Sequence, residues 1–298
     1  VPFSEITPEQ PATTHLPYYV SQPEVAVIGR DNRTGLQVWS ADWGYPGDFD
    51  YREFHKKDGV SGMQYWRVSG AGVDLADKDA YHPDWAGGKV EGHADHFARL
   101  VADVLQGFHG ETGQFGIVSA NYDTELFGHW WFEGIDWLEG VLRRLARSDS
   151  VELTTASDFL AAHPPETVIH LPEGSWGAGG GHFTWDNADT HWMWPVIHAA
   201  ERRMRAVTKG RQATSGAERH ALDQAARELL LLQSSDWPFL VSTGQAREYA
   251  IERFRGHLDR FHELIDGVET GAVDAALTAR LWHRDNIFHE IAYRWFRE

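Results

Sequence analysis

The chain has 298 residues with 44 acidic and 27 basic side chains, which gives a formal net charge of −17 at pH 7. This excess of negative charge argues against nucleic acid and against membranes with anionic lipids as partners. No segment approaches the roughly 20 consecutive apolar residues that cross a bilayer. Because the chain has no cysteine, disulfides, thiolate metal sites and cysteine nucleophiles are excluded. Any catalysis must use carboxylate, His, Ser, Tyr or Lys side chains.

The chain is rich in tryptophan, with 14 among its residues. Tryptophan is large and rarely hidden completely, so we expect some of these side chains to line a surface or a cleft. The sequence starts at Val1, without the basic and apolar segments of a secretory signal,. We therefore expect a cytoplasmic protein, and a first residue that is not the native one.

The N-terminal part alternates short apolar runs with helical patterns. The first twenty residues contain four prolines and predict an irregular segment,. Apolar residues spaced three and four apart predict helices over 97–108, ending at Gly107 or Gly110, and over 135–145; Ser157 is expected to cap a shorter one. Strands are predicted at Val25–Ile28 and at residues 36–39, 115–119 and 151–155. This succession is typical of a parallel α/β sheet or barrel.

The pattern becomes helical after the glycine-rich residues 177–181. Residues 221–232 form a leucine-rich helical pattern, and apolar residues from 251 to 265 keep a strict spacing of three and four,. We therefore expect an α/β domain over residues 1–185 and an all-helical domain over residues 186–298.

Residues 121–134 are the most informative segment for function. They follow a predicted strand and precede a predicted helix, the position of the active-site loops in barrel enzymes. Three carboxylates, one histidine and a pair of tryptophans within this loop are typical of a sugar site, because glycosidic cleavage needs a carboxyl to protonate the leaving oxygen. Asp123, directly after the strand, is the candidate proton donor. The alternative is that Asp123 or Glu125 caps the following helix.

Five sequence segments, in the same order along the chain, resemble segments of glycoside hydrolase family 57 α-glucan branching enzymes. The longest is YDTELFGHWWFEG at residues 122–134, which is similar to the family's acid/base motif. The others are LQVWSADWGYPG at 36–47, YREFH at 51–55, LPEGSWG at 171–177 together with Trp185, and SSDWPF at 234–239.

The resemblance implies a retaining mechanism on a (β/α)7 barrel. In the family a Glu forms a covalent glucosyl intermediate and an Asp, here Asp123, acts as acid and then as base. The Glu motif lies upstream of every residue present, so the resemblance implies the C-terminal part of a (β/α)7 barrel followed by an all-helical domain. The expected partners are an α-1,4-glucan and the missing N-terminal barrel segment.

The same matching suggests residues that contact the glucan. Arg30 and Trp39 resemble residues near the sugar at the cleavage point, and the later loops supply the rest of the cleft. Tryptophan can instead anchor one domain on another, and this alternative stays open for Trp176 and Trp185. His129 is expected to bond a sugar hydroxyl or to support Asp123. The full set of predicted substrate-binding residues is Arg30, Trp39, His129, Trp176, Trp185, Asp236 and Trp237.

No metal or cofactor is expected. His93 and His96 are spaced for shared ligation on a helix, but no third ligand is suggested, so with Asp95 they are interpreted as solvated helix residues. The predicted function is 1,4-α-glucan branching in glycogen biosynthesis. A 4-α-glucanotransferase or amylase of the same family is the nearest alternative. A non-catalytic α-glucan-binding half that needs an N-terminal partner is the alternative of another class.

Overall fold

The computed structural model describes residues 12–21, 25–213 and 215–297. These residues form a mostly helical structure with one two-stranded sheet. They fall into two compact units, an N-terminal unit that ends at Pro172 and a C-terminal unit that begins at Glu173. The boundary expected at residues 185 and 186 remains a prediction.

Strands β1 (Pro17–Ser21) and β2 (Val25–Ile28) of the N-terminal unit form an antiparallel pair in which Tyr18 opposes Val27. β1 also bonds residues 167–169, because the Tyr19 amide donates to the Thr167 carbonyl and the Ile169 amide to the Tyr19 carbonyl. The strand predicted at Val25–Ile28 is confirmed. The irregular segment predicted over residues 1–20 contains part of β1, and its first eleven residues lie outside the described structure.

Residues 36–39, predicted as a strand, belong instead to helix α1 (Asn32–Trp39). Asp31 caps this helix: its Oδ1 accepts hydrogen bonds of 2.7 Å from both the amide and the hydroxyl of Thr34. The prediction was wrong because it followed the apolar run alone, whereas an aspartate at the position of Asp31 favours a helix start,.

The strands predicted at residues 115–119 and 151–155 are also absent from the described structure. The first segment makes one isolated parallel bridge, between Ser119 and Arg30, and one bond from the Ile117 amide to the His15 carbonyl. A strand is defined by a continuous hydrogen-bonded neighbour, and neither apolar run has one among the described residues.

Helices α2 (Pro83–Thr112), α3 (Gly134–Leu145) and α4 (Ala156–Ala162) complete the regular structure of this unit. The first two confirm the predicted helices, although α2 continues beyond Gly107 and Gly110 until Gly113 adopts a left-handed conformation,. Thr155, not Ser157, caps α4 by accepting a 3.1 Å bond from the Asp158 amide.

The core of the N-terminal unit is aromatic. Trp137 of α3 is 1% exposed, and its ring centroid lies 5.0 Å from that of Phe97 of α2 and 5.1 Å from that of Trp131. Phe127 stacks on the same indole at 6.3 Å, almost parallel. The loop before α3 is therefore packed against both helices by its own aromatic side chains.

The C-terminal unit is helical, as predicted for this region. Its main packing is between α6 and α8, whose apolar faces bury Leu229, Phe254, Phe261 and Ile265,. Its helices are α5 (Met193–Thr208), α6 (Gly216–Leu232), α7 (Asp236–Thr243), α8 (Arg247–Glu269) and α9 (Ala275–Arg284).

A search of the described helices for a membrane-crossing segment finds none that combines the necessary length and apolar character.

Replacing Phe254 by alanine should lower the free energy of unfolding by about 3 to 5 kcal/mol, because this ring is fully buried between helices and its removal leaves a cavity,. Urea unfolding followed by circular dichroism measures the loss. Tyr249→Ala, on the same helix but 52% exposed, is the control and should cost much less. Equal losses for the two variants would contradict the described core.

Candidate functional site

Asp123 begins the loop that precedes α3. The preceding segment is held by hydrogen bonds, because the Asp31 amide donates to the Ser119 carbonyl at 2.8 Å. Asp123 is exposed and extended, and it starts a short 3-10 turn, Thr124–Leu126, with its carbonyl accepting from the Leu126 amide. Its carboxylate makes no capping hydrogen bond to that turn. The capping alternative therefore does not account for the Asp123 side chain.

Trp39 and Arg30 lie beside the segment that leads to Asp123. The Trp39 indole nitrogen donates to the Asn121 carbonyl at 3.5 Å, and its ring centroid lies 6.4 Å from that of Tyr122. Arg30 pairs with Ser119 through the isolated bridge. Trp39 and Arg30 therefore contact residues that precede Asp123 by two and four positions in the sequence.

Tyr122 is a residue of this site that the sequence interpretation did not single out. Its hydroxyl donates to the Thr34 carbonyl at 3.1 Å, which ties the Asp123 loop to α1. Burial raises the pKa of the Tyr122 hydroxyl well above its usual value, and the neighbouring Arg30 partly opposes this. Tyr122 is therefore a neutral hydrogen-bond donor at physiological pH.

His129 lies further along the loop in an exposed aromatic cluster. Its ring lies edge-on to Phe54 at 5.2 Å and to Trp130 at 5.1 Å, and the Phe54 and Trp130 rings are 4.4 Å apart. Trp130 is 49% exposed whereas the adjacent Trp131 is 1% exposed, so the two indoles face different ways, as expected of neighbours in sequence. The role predicted for His129 remains a prediction.

Glu133 is the buried carboxylate of the loop, with 3% of its surface exposed. Its Oε1 accepts a 3.1 Å bond from the Arg52 amide, and its Oε2 is buried without a hydrogen-bond partner among the described residues. The Arg52 guanidinium lies 3.6 Å from the Phe132 ring centroid. Burial raises the pKa of Glu133. Glu133 thus joins the YREFH segment to the Asp123 loop. Sequence spacing alone did not show which of Glu125 and Glu133 has this role.

Trp176 and Trp185 meet in the C-terminal unit. Their rings are nearly perpendicular with centroids 5.0 Å apart, and Trp176 lies 5.9 Å from Phe239 of α7. Trp176 is 57% exposed and Trp185 is partly buried. Trp176 therefore presents much of its ring to solvent, as a sugar platform requires, while Trp185 supports it.

The glycine-rich segment after Trp176 is closely packed at its first residue, Gly177. A Cβ on Gly177 would lie 2.7 Å from Cζ3 of Trp185 and 2.8 Å from the Thr184 hydroxyl. The Ser175 hydroxyl accepts from the Gly177 amide at 3.0 Å, and the Ala178 amide donates to the Thr184 hydroxyl. Gly177 is therefore the position where the chain passes directly over the Trp185 indole.

Asp236 and Trp237 have opposite environments at the start of α7. Asp236 is exposed, with Oδ2 accepting from the Ser234 hydroxyl at 3.3 Å. Trp237 is 8% exposed, its indole nitrogen donates to the Leu231 carbonyl at 2.8 Å, and its ring stacks on His257. The described environment of Trp237 is that of a core residue rather than a free platform.

The histidines whose spacing would allow shared metal ligation, His93 and His96, bond tyrosines in the structure. The Nδ1 atoms of His93 and His96 lie 2.8 and 2.6 Å from the hydroxyls of Tyr51 and Tyr45. His96 is exposed, as expected of a solvated helix residue, whereas His93 is only partly exposed. Asp95 instead pairs with Arg99 at 2.8 Å.

Among the described residues, the side chains of Glu228, His257 and Asp285 lie close enough together to hold a metal ion. The Arg260 guanidinium already lies 2.9 Å from Glu228 and 3.5 Å from Asp285. Burial opposes ionisation of Glu228, but bonds from His257 and Arg260 outweigh it and lower the pKa of that carboxyl. An arginine therefore supplies the positive charge that a metal would bring.

Comparison with known proteins gives two family matches that together follow the two units. Residues 4–172 match the model of glycosyl hydrolase family 57, and residues 196–296 match that of the 1,4-alpha-glucan branching enzyme C-terminal region. The chain belongs to glycosyl hydrolase family 57.

Relatives of this family 57 chain include a 1,4-alpha-glucan branching enzyme of Thermococcus kodakarensis, 48% identical over 94% of this chain and 42% of the relative. A probable 1,4-alpha-glucan branching enzyme of Mycobacterium tuberculosis is 34% identical over 90% of this chain and 52% of the relative. The chain therefore spans about half the length of the curated relatives it matches.

Solved structures agree with this assignment. The crystal structure of the Thermococcus kodakaraensis branching enzyme, in complex with glucose and additives, matches with a TM-score of 0.83 and 45% identity, over 99% of this chain and 55% of that one. A GH57-type branching enzyme from Pyrococcus horikoshii gives the same TM-score and identity over 96% and 54%. An alpha-amylase of Thermotoga maritima gives 0.75 and 29% over 96% and 57%.

Replacing Glu133 by glutamine should change how stability depends on pH. Because the pKa of Glu133 is raised in the folded state, the folded protein holds this proton more tightly than the unfolded chain does. Its contribution to the free energy of unfolding therefore falls as pH rises from about 4.3, the usual value, through the raised pKa.

Unfolding of the parent and of Glu133→Gln should be compared across this pH window. We expect the stability of the parent relative to the variant to fall as pH rises. Glu139→Gln, on the exposed face of α3, should show no such trend. A constant difference between parent and Glu133→Gln would contradict the assignment.

Replacing Gly177 by alanine should displace the Trp185 ring and disturb its contact with Trp176, because the added Cβ has no room. Near-ultraviolet circular dichroism of the tryptophans reports the change. Gly181→Ala is the matched control: a Cβ added there would have no other atom within 4 Å, and the φ of this residue is −99°. An unchanged spectrum for Gly177→Ala would show that the segment adapts without moving the indoles.

Proposed function

We propose that this chain supplies the acid/base residue and part of the glucan cleft of a retaining 1,4-α-glucan branching enzyme. The observation that carries the proposal is Asp123, exposed near the start of a family motif with a carboxylate that caps no turn. The residue before it, Tyr122, has its ring centroid 6.4 Å from that of Trp39. The matches to branching enzymes over both units support the same function.

In this mechanism Asp123 first acts as an acid. It donates its proton to the glycosidic oxygen of an α-1,4 linkage while a glutamate carboxylate attacks the anomeric carbon. The glycosidic bond breaks, one glucan chain leaves with a free 4-hydroxyl, and the other remains as a glucosyl ester of the glutamate. That glutamate is proposed to come from the N-terminal barrel segment, outside this chain.

Asp123 then acts as a base. Its carboxylate takes the proton of the 6-hydroxyl of an acceptor glucose as that oxygen attacks the anomeric carbon and displaces the glutamate. The product carries an α-1,6 branch and Asp123 is protonated again. Transfer requires that water does not reach the ester first. Trp176, whose indole is largely exposed, is proposed to bind the glucan.

The N-terminal barrel segment is the proposed partner of several apolar surfaces in this chain. Val25, Phe115 and Val168 are 54%, 68% and 54% exposed, although each belongs to or adjoins an extended segment. The strand-like runs at residues 115–119 and 151–155 have few backbone partners among the described residues. Additional strands of a (β/α)7 barrel would pair with these runs and cover the apolar side chains.

A hydrolytic activity is the second candidate, favoured by the likeness to the alpha-amylase of Thermotoga maritima. Hydrolysis uses the same acid and the same glucosyl ester, with water in place of the acceptor 6-hydroxyl. The α-1,6 content of the product distinguishes the two. A glucan-binding chain without catalysis is the third possibility and is tested by the variant below.

Replacing Asp123 by asparagine in the longest natural polypeptide that contains this chain should reduce branching of amylose by at least about a thousandfold, since an amide cannot donate the proton. Branching is measured as new α-1,6 linkages by proton NMR, and glucan binding should persist. Glu125→Gln, two residues away and also exposed, is the control that should retain activity. Normal turnover by Asp123→Asn would exclude Asp123 as acid/base.

A further inference from the structure

The C-terminal unit contains a groove that none of the predicted substrate-binding residues lines. Its volume is about 1100 Å³, and it is formed by the start of α6, the end of α9 and the segment around residues 289–294. Trp282 of α9, 41% exposed, lines it. All lining residues fall within the C-terminal unit.

The wall of the groove is held by a buried arginine. Arg227 of α6 is 4% exposed, and its guanidinium donates to the carbonyls of Ile287 at 2.9 Å and of His289 at 3.2 Å. It also bonds the Phe288 carbonyl, where the backbone has a φ of 55°. Since non-glycine residues rarely adopt this conformation, the arginine holds the segment in a shape that the chain would not keep alone.

The floor of the groove is fixed in the same way. The Tyr293 amide donates to Oδ1 of Asp223 at 2.8 Å, and the Tyr293 hydroxyl accepts from the Ala213 amide at 3.2 Å. Ile291 and Tyr293 are 5% and 7% exposed. The groove is therefore preformed by hydrogen bonds and by buried side chains, and a ligand would not have to order it.

The chemistry of the lining suits a sugar polymer. A pyranose ring has an apolar face that packs on an indole, and hydroxyls around its edge that both donate and accept. Beside Trp282, the groove offers the exposed donors Arg219 and Arg294, the ring nitrogens of His220 and the carboxylate of Glu290. Donors and acceptors are thus both present around one aromatic platform.

We propose that this groove is a second α-glucan-binding site, separate from the residues of the cleavage cleft, that holds a distant part of the polymer. The ligand class rests on the proposed function. A branched glucan is multivalent, so a second weak site in one protein raises its overall affinity for the polymer without adding to the chemistry. Trp282 is the platform, and Arg219 and Arg294 bind hydroxyls at the rim.

Affinity electrophoresis in gels that contain glycogen tests the groove. All proteins carry Asp123→Asn, so that the polymer is not consumed. Trp282→Ala should raise the apparent Kd for glycogen about tenfold. Trp295→Ala is the matched control, since this tryptophan is 65% exposed in the same unit but does not line the groove. Equal retardation of the Trp282→Ala protein and its parent would overturn the proposal.

Hydrogen exchange of the unsubstituted protein provides a test that no folding defect can affect. Maltoheptaose should slow exchange in residues 215–220 and 289–294. Unchanged exchange there, with slowed exchange in residues 121–133, would overturn the second site and leave the proposed function standing. Slowed exchange in the groove alone would support the second site and count against glucan binding near Asp123. An equal effect of sulfate would overturn the proposal by showing an anion site.

Discussion

Burial of two indoles, those of Trp131 and Trp137, organises the N-terminal unit. Their rings lie 5.1 Å apart in the aromatic core between α2 and α3. The Trp131 amide donates to the Leu126 carbonyl at 2.8 Å and the Gly128 amide to the Trp131 carbonyl at 2.8 Å, so the buried indole closes the loop on itself. Asp123 lies at the exposed start of that loop. Removing either indole would open a large cavity in the core of this unit.

Local spacing of apolar residues determined what the sequence could predict. Helices α2, α3, α6 and α8 follow apolar spacings that are local properties of the chain,. The strands at residues 115–119 and 151–155 could not be judged in this way, because pairing depends on neighbours. Residues 36–39 were assigned to a strand although Asp31 caps a helix there. Trp237 and Trp176 were both predicted to bind substrate, because each lies in a motif that resembles the family. Trp237 is 8% exposed, however, whereas Trp176 is 57% exposed.

Side-chain direction separates contact residues from packing residues in both units. The sequence located Asp123, Arg30 and Trp39, and the structure places the last two beside the segment that leads to the first. Glu133 and Tyr122 were not distinguished in advance because their importance lies in burial and in bonds to distant residues, Arg52 and Thr34. Neither burial nor a bond to a distant residue can be deduced from the spacing of residues along the sequence.

We propose that Asp123 serves a glucosyl transfer whose nucleophile lies outside these 298 residues. The most direct test incubates amylose with this chain alone and, in parallel, with the longest natural polypeptide that contains it. Proton NMR counts the α-1,6 linkages formed, and intact mass confirms that each sample holds one polypeptide. We expect new branches with the longer polypeptide and none with this chain. Branching by this chain alone would contradict the proposal.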